Sequence, residues 1–171
     1  MISKIFVICG TQKFQFDRLI SALDRQIEEG LVKASVFGQI GGGSYEPTHF
    51  PYARFMDDAD FKDEIRKADL IVTHSGTGSI VNSLKSGKKV IVVPRLAKYG
   101  EHVNDHQLEI AELFEKAGLV MTCGNTDKLF LAIRQAEDFS PAVFHSGTEH
   151  VLEVLDKDLQ ELARAKAEKE K

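Results

Sequence analysis

Two cysteines, Cys9 and Cys123, are too few for a disulfide framework in a chain of 171 residues. Both sit in apolar, strand-like contexts and read as reduced core residues of a cytosolic protein. No apolar run approaches the roughly 20 residues that a membrane-spanning helix needs. Membrane contact is therefore expected only through a partner or a surface patch. Met1-Ile2-Ser3-Lys4 runs directly into a strand pattern and reads as no signal peptide. An excess of positive charge is also missing: 22 Lys and Arg against 26 Asp and Glu give a net charge of −4, which argues against nonspecific nucleic-acid binding. Cys/His metal spacing is absent, so no zinc site is expected. So are the Gly-x-Ser-x-Gly of a hydrolase nucleophile elbow and the Gly-x-Gly-x-x-Gly of a dinucleotide-binding turn.

What is present is a globular composition, 43% hydrophobic and 28% charged, in a length that suits one domain with a sizeable core. Ile5 to Cys9 reads as a first strand, with Gly10-Thr11-Gln12 as the turn after it. Phe16, Leu19, Ile20, Leu23 and Ile27 lie at helical spacing, and Gly30 ends that helix. Val32 to Ile40 reads as a second strand. Gly41-Gly42-Gly43-Ser44 then opens a loop through Tyr52, read as flexible or hinge-like because no helix start follows it. Ala53 to Met56 is a short strand, and Asp57-Asp58 opens a helix through Lys67, acidic where the helix dipole favours it. Leu70 to Val72, a helix from Thr77 closed by Gly87, Lys89 to Val93, a helix through Leu108, Ala111 and Phe114, Leu119 to Met121, and a helix from Thr126 to Ala136 follow.

The order β-α-β-β-α-β-α-β-α-β-α-α predicts an α/β fold, a single Rossmann-like parallel sheet with helices on both faces. Residues 1–146 form that domain. Residues 147–171 are expected to be an amphipathic helix carrying Val151, Leu152, Leu155, Leu159 and Leu162. Its stripe either packs back on the domain or faces another protein, and a homodimer through it is one option.

The chemistry concentrates between Thr73 and Gln107. His74-Ser75-Gly76-Thr77-Gly78-Ser79 follows a buried strand and opens a helix. Two glycines allow close backbone approach, and the first-turn amides of a helix lack internal partners. Such a turn binds an anion, most often a phosphate. Glu101, His102, Asn104, Asp105, His106 and Gln107 crowd the start of the next helix, beyond the carboxyl end of the neighbouring strand, where open α/β sheets bind ligands. Phosphate donors beside hydroxyl-binding side chains suggest a nucleotide sugar. Arg95 and Lys98 are candidates for added positive charge. His74, His102 and His106 are candidate general bases by pKa range, with a structural or substrate-binding role open for each. His49, His145 and His150 read as surface residues.

Three stretches carry a family resemblance: Arg54-Phe55-Met56-Asp57-Asp58, Ala68 through Ser79, and Val92-Val93-Pro94-Arg95 through Asn104-Asp105-His106-Gln107. Together they resemble the C-terminal, donor-binding domain of family-28 glycosyltransferases, within which a short chain with these motifs is most similar to the catalytic subunit of dolichol-linked chitobiose synthase and to bacterial two-chain exopolysaccharide glycosyltransferases. The resemblance covers roughly residues 5–136. It implies the C-terminal half of a GT-B fold and a UDP-sugar donor with no obligatory metal or other cofactor. It also implies a lipid-diphosphate-linked saccharide acceptor and a membrane-associated partner subunit supplying the acceptor half. The chain would then be cytoplasmic and peripheral to the inner face of the membrane.

By position, Gly10, Thr11 and Gln12 match the loop near the diphosphate. Phe55 and Met56 match the segment whose backbone reads the base. Ser75, Gly76, Thr77 and Gly78 match the diphosphate turn, and Asn104, Asp105, His106 and Gln107 the segment that grips sugar hydroxyls. Asn82 stands where the family often has a ribose-binding carboxylate. A neutral amide accepts only one such bond well, so ribose recognition is weaker or falls to Glu101. A non-catalytic accessory subunit and a UDP-sugar epimerase-like enzyme are the alternatives.

Overall fold

A computed structural model describes residues 1–144; the expected tail helix, His145 and His150 lie outside the described residues. Six strands form one fully parallel sheet in the order β3-β2-β1-β4-β5-β6. They are β1 (Lys4–Ile8), β2 (Ser35–Gln39), β3 (Tyr52–Ala53), β4 (Leu70–Thr73), β5 (Lys89–Val92) and β6 (Met121–Thr122). Between and after them run α1 (Asp17–Glu28), α2 (Asp58–Lys67), α3 (Thr77–Lys85), α4 (His106–Lys116) and α5 (Leu129–Asp138).

The central strands are apolar through Ile5–Ile8, Leu70–Val72 and Val90–Val92 because both faces are covered there, as parallel sheets require. Along β1 the side chains alternate: Ile5 and Val7 join Phe16, Leu19, Leu23, Leu129 and Ile133 in one buried cluster. Phe6 and Ile8 join Ile65, Ile80, Leu84 and Phe114 in the other. The period of two along a strand sends successive residues to opposite layers. Gly87, at φ +67°, ends α3 in the left-handed conformation expected of it.

The boundaries shift where tertiary pairing decides them. β2 begins at Ser35 rather than Val32, because the amides of Leu31 and Val32 still bond the Gln26 carbonyl at the end of α1. β3 and β6 are two-residue edge strands; β3 covers Tyr52–Ala53 rather than Ala53 to Met56, and β6 covers Met121–Thr122 rather than Leu119 to Met121. A 3-10 turn, Thr126–Lys128, precedes α5.

The loop after the triple glycine is pinned, contrary to the expectation of a flexible hinge. The carboxylate of Asp17 accepts from the amide and hydroxyl of Ser44. That of Asp24, 2% exposed, accepts from the Tyr45 hydroxyl and the amides of Thr48 and His49. Burial alone would raise the Asp24 pKa, but the amides of His49 and Thr48 and the Tyr45 hydroxyl bring it below the ordinary value. A depressed carboxyl pKa stabilises the fold above its unfolded value, and that stabilisation is lost as pH falls through the folded value. Asp24→Ala strands several buried donors and is expected to cost about 2–3 kcal/mol, measured as a lower urea midpoint at pH 7. The difference from wild type should shrink as the pH drops below about 4.

Candidate functional site

The strand order turns back between β1 and β4: from β1 the chain proceeds to β2 on one side, and from β4 to β5 on the other. At that point the loops after β1 and β4 part and leave a crevice beyond the carboxyl ends. A cavity of about 400 Å³ lies there. Gly10, Thr11 and Gln12 form one wall, and His74, Gly76, Gly78 and Ser79 another. Met56, Asp57, Asp58 and Phe61 close it from the start of α2, with Ile8 and Gln39 among its lining residues. A second cavity of about 520 Å³ lies between α1, the 3-10 turn Ala97–Tyr99 and residues 124–127. It is away from the switch point, and its arginines are engaged: Arg18 with Glu101 and Arg25 with Asp127.

Helix α3 points its N-terminus at the switch-point cavity. Its N-cap is Gly76, which brings no side chain to bond the first turn. The Ile80 amide, bonded to the Gly76 carbonyl at 3.1 Å, begins the helical ladder. The amides of Thr77, Gly78 and Ser79 precede it and are left for a ligand or water. The Ser75 amide is different: it donates to Oε1 of Gln107, and its hydroxyl is buried with no protein partner.

His74 stands between the two glycine turns. A Cβ at Gly76 would lie 2.2 Å from its Nε2, and one at Gly10 2.6 Å from its Cε1. Both positions are glycine because the imidazole occupies the space a side chain would need. Gly10 also has φ +79°, in the left-handed region. Nδ1 of His74 lies 3.3 Å from the Ile8 carbonyl, which holds the neutral ring's proton there and leaves Nε2 bare. Burial, reinforced by the nearby Arg95 guanidinium, pushes the His74 pKa down to about 4. At neutral pH the ring is uncharged and only weakly basic, which makes it a poor general base.

The polar run at residues 101–107 serves its own loop more than the cavity. Glu101, expected as a ribose ligand, is 0% exposed. Its oxygens accept from Nε and Nη2 of Arg18 and from the Leu96 amide; buried, engaged and absent from the cavity lining, it is not placed to take the ribose. Arg95 is 1% exposed rather than a solvated loop residue. Its Nη2 donates to the Cys9 carbonyl at 2.6 Å, and its guanidinium lies 5.3 Å from the Phe16 ring centre. It reaches the cavity as a field rather than as a contact. Asp105 accepts from the Ala97 amide, and Asn104 from the His106 amide. His106 pairs with Glu109 at 2.8 Å, and His102 Nδ1 lies 3.1 Å from the Asn104 side chain. Lys98 is exposed, with its ammonium 4.8 Å from the Tyr99 ring centre. Oε1 of Gln107 accepts from the Ser75 and Arg95 amides together.

Gly10, Thr11, Gln12, Met56, His74, Gly76 and Gly78 thus come together around one cavity. Ser75 and Thr77 lie within the same turn. Phe55, 56% exposed, and Asn82, on the exposed side of α3, do not line it. Ile8, Gln39, Phe61 and the carboxylates of Asp57 and Asp58 were missed as lining residues. The signal for Gln39 was a lone amide at the end of an apolar strand run.

The sequence profile of the glycosyltransferase family 28 C-terminal domain matches residues 4–159. The human protein "UDP-N-acetylglucosamine transferase subunit ALG13" is 34% identical over 128 residues, covering 70% of this chain. The chain spans only 11% of the length of that human relative and of its mouse counterpart. Among solved structures, the solution structure of ALG13 superposes with a TM-score of 0.57 at 21% identity, over 90% of this chain and 94% of that one. Acinetobacter baumannii MurG superposes with a TM-score of 0.54 at 17% identity, over 88% and 49%. The fold is therefore the Rossmann-like C-terminal half of a GT-B protein: the strand pattern predicts the parallel sheet, and the family resemblance implies the GT-B half.

The depressed His74 pKa has a measurable consequence. The unfolded imidazole protonates near 6.5 and the folded one near 4. Between those values the unfolded chain binds the extra proton, so stability falls as pH falls, with a slope approaching about 1.4 kcal/mol per pH unit from this group. Urea unfolding of wild type and His74→Gln across that window should show the slope reduced in the variant; equal slopes would place the ring in solvent.

Proposed function

Because the chain belongs to the family of glycosyltransferase family 28 C-terminal domains, we propose that it is the catalytic, UDP-sugar-binding subunit of a two-component inverting glycosyltransferase. The acceptor is a lipid-diphosphate-linked saccharide, and a membrane-associated partner subunit supplies the acceptor half. The observation that carries this reading is the uncapped N-terminus of α3, open to a cavity at the switch point of the sheet. The word "subunit" in the human relative's name, and the UDP-sugar it names, support the partner and the donor.

In the proposed reaction the acceptor hydroxyl attacks the anomeric carbon of the donor from the face opposite the leaving group. The bond from that carbon to the diphosphate oxygen breaks, UDP departs with the electron pair, and the hydroxyl proton passes to a base. The chain's part is to hold the donor and stabilise the charge growing on the diphosphate. Amides of Thr77, Gly78 and Ser79 and the α3 dipole do this without reorganising. Gly10, Thr11 and Gln12 form the facing wall, and Met56 stands at the base side. Gln107, with Asn104, Asp105 and His106, borders the sugar side. The base is assigned to the partner, since His74 is too weakly basic and neither His102 nor His106 lines the cavity. Among the described residues no helix is long and apolar enough to cross a membrane. On the proposed reading the chain is cytoplasmic and is held at the inner face of the membrane by its partner.

An accessory, non-catalytic role is the second reading. It is favoured by the lack of any Lys or Arg lining the cavity among the described residues and by Asn82 standing away from it. Turnover by a reconstituted pair that is indifferent to changes at Thr77 would support it.

Gly78 separates ligand binding from folding. It lies in α3 with no atom within 4 Å of the position a Cβ would take, yet it lines the cavity. Gly78→Ala should leave stability unchanged or raise it by up to about 1 kcal/mol. The same methyl intrudes on the diphosphate cradle and should weaken UDP at least about tenfold in calorimetry. Absence of UDP binding by the wild-type chain would refute the donor-binding assignment.

A further inference from the structure

The Gln39 side chain does the work of a missing peptide group. The β1–β2 ladder ends with Ile8 opposite Gln39 and the Cys9 amide bonded to the Gln39 carbonyl at 2.8 Å. Beyond that point the main chain of β2 turns toward β3: the Ile40 amide bonds Ala53 and the Gly41 amide bonds Arg54. The next rung on the β1 side would be empty. Instead, Oε1 of Gln39 accepts from the Gly10 amide at 3.1 Å, and Nε2 donates to the Gly10 carbonyl at 2.9 Å and to the Arg54 carbonyl at 3.0 Å. The side chain is 2% exposed and lines the switch-point cavity. Gly10 is thereby held on one side by an amide and on the other by the His74 ring.

We infer that Gln39 is a positioning residue for donor binding: it locks the loop after β1 in the geometry that receives the diphosphate and ties that loop to the chain following β3. The inference rests on the donor-binding reading above. A side-chain amide suits this task because it offers a donor and an acceptor in one plane, like the peptide it replaces. Without it, the two polar groups of Gly10 and the carbonyl of Arg54 lose their shared partner, and the loop is free to leave the conformation that lines the cavity.

The test compares UDP with uridine, which shares the base and ribose but lacks the diphosphate. Gln39→Leu should weaken UDP at least about tenfold and uridine less than about threefold, since Gly10 loses both bonds to the side-chain amide while the Arg54 carbonyl keeps the Gly41 amide as a partner. Gln39→Glu supplies a second reading. Its introduced carboxyl donates and accepts only when neutral, and burial raises its pKa. UDP affinity relative to wild type should therefore recover as the pH is lowered from about 8 to about 5. Should Gln39→Leu fail to fold, the wild-type spectrum decides: the side-chain amide protons of Gln39 must shift on adding UDP and stay in place on adding uridine. Parallel losses for both ligands, no pH recovery, or an unmoved Gln39 resonance overturns the inference alone. A wild-type chain that binds uridine and UDP equally, or neither, overturns the donor-binding reading and this inference with it.

Discussion

Every parallel strand that stops leaves main-chain amides and carbonyls with no next rung, and in this protein those groups surround the cavity. They must be satisfied without filling the space. Two glutamines solve this in the same way. Gln39 joins the loop after β1 to the chain after β3, and Gln107 joins the loop after β4 to the loop after β5 through the Ser75 and Arg95 amides. Arg95 then ties the β5 side back to the Cys9 carbonyl at the end of β1. The Arg18–Glu101 pair binds the post-β5 loop to α1. The carboxyl edge is thus a closed set of side-chain bridges, and what remains unbridged is the first turn of α3.

That arrangement sets the electrostatics of the site. Among the described residues its walls carry Asp57 and Asp58 and no Lys or Arg. A bound diphosphate would meet its favourable potential in the α3 amides and in the buried Arg95 charge behind the loop, rather than in a surface clamp. Asp57 is already engaged in part, since it caps α2 through the Asp60 amide at 2.8 Å. Neutral His74 adds no charge but fills the gap between two glycine turns.

The architecture was legible from sequence because its signals are local. The apolar runs at β1, β4 and β5 and the Gly76–Gly78 turn depend on neighbours within a few residues. The site was half legible for the opposite reason. Glu101 looks like a ligand carboxylate in any window of sequence; that it faces Arg18, 83 residues away, is a tertiary fact. The loop after the triple glycine looks free until Asp17 and Asp24, both in α1, take the amides of Ser44 and His49. Gln39 sits one residue before the end of an expected strand, where a polar side chain reads as an edge and not as a bridge. The two-residue strands β3 and β6 carry too few residues for any period to register.

The bridges also divide the labour that an inverting transfer needs. Holding a donor and stabilising a leaving group are tasks for fixed dipoles, and a rigid edge built from backbone and buried amides does them well. Taking a proton from an acceptor needs a basic group that reaches the attacking hydroxyl, and among the described residues the histidine that lines the cavity is His74. His74 is uncharged with a pKa near 4, His102 leans on Asn104, and His106 on Glu109. A chain so arranged is suited to one half of the reaction. On the proposed reading the proton acceptor arrives with the acceptor half, and catalysis begins only when the two edges face each other.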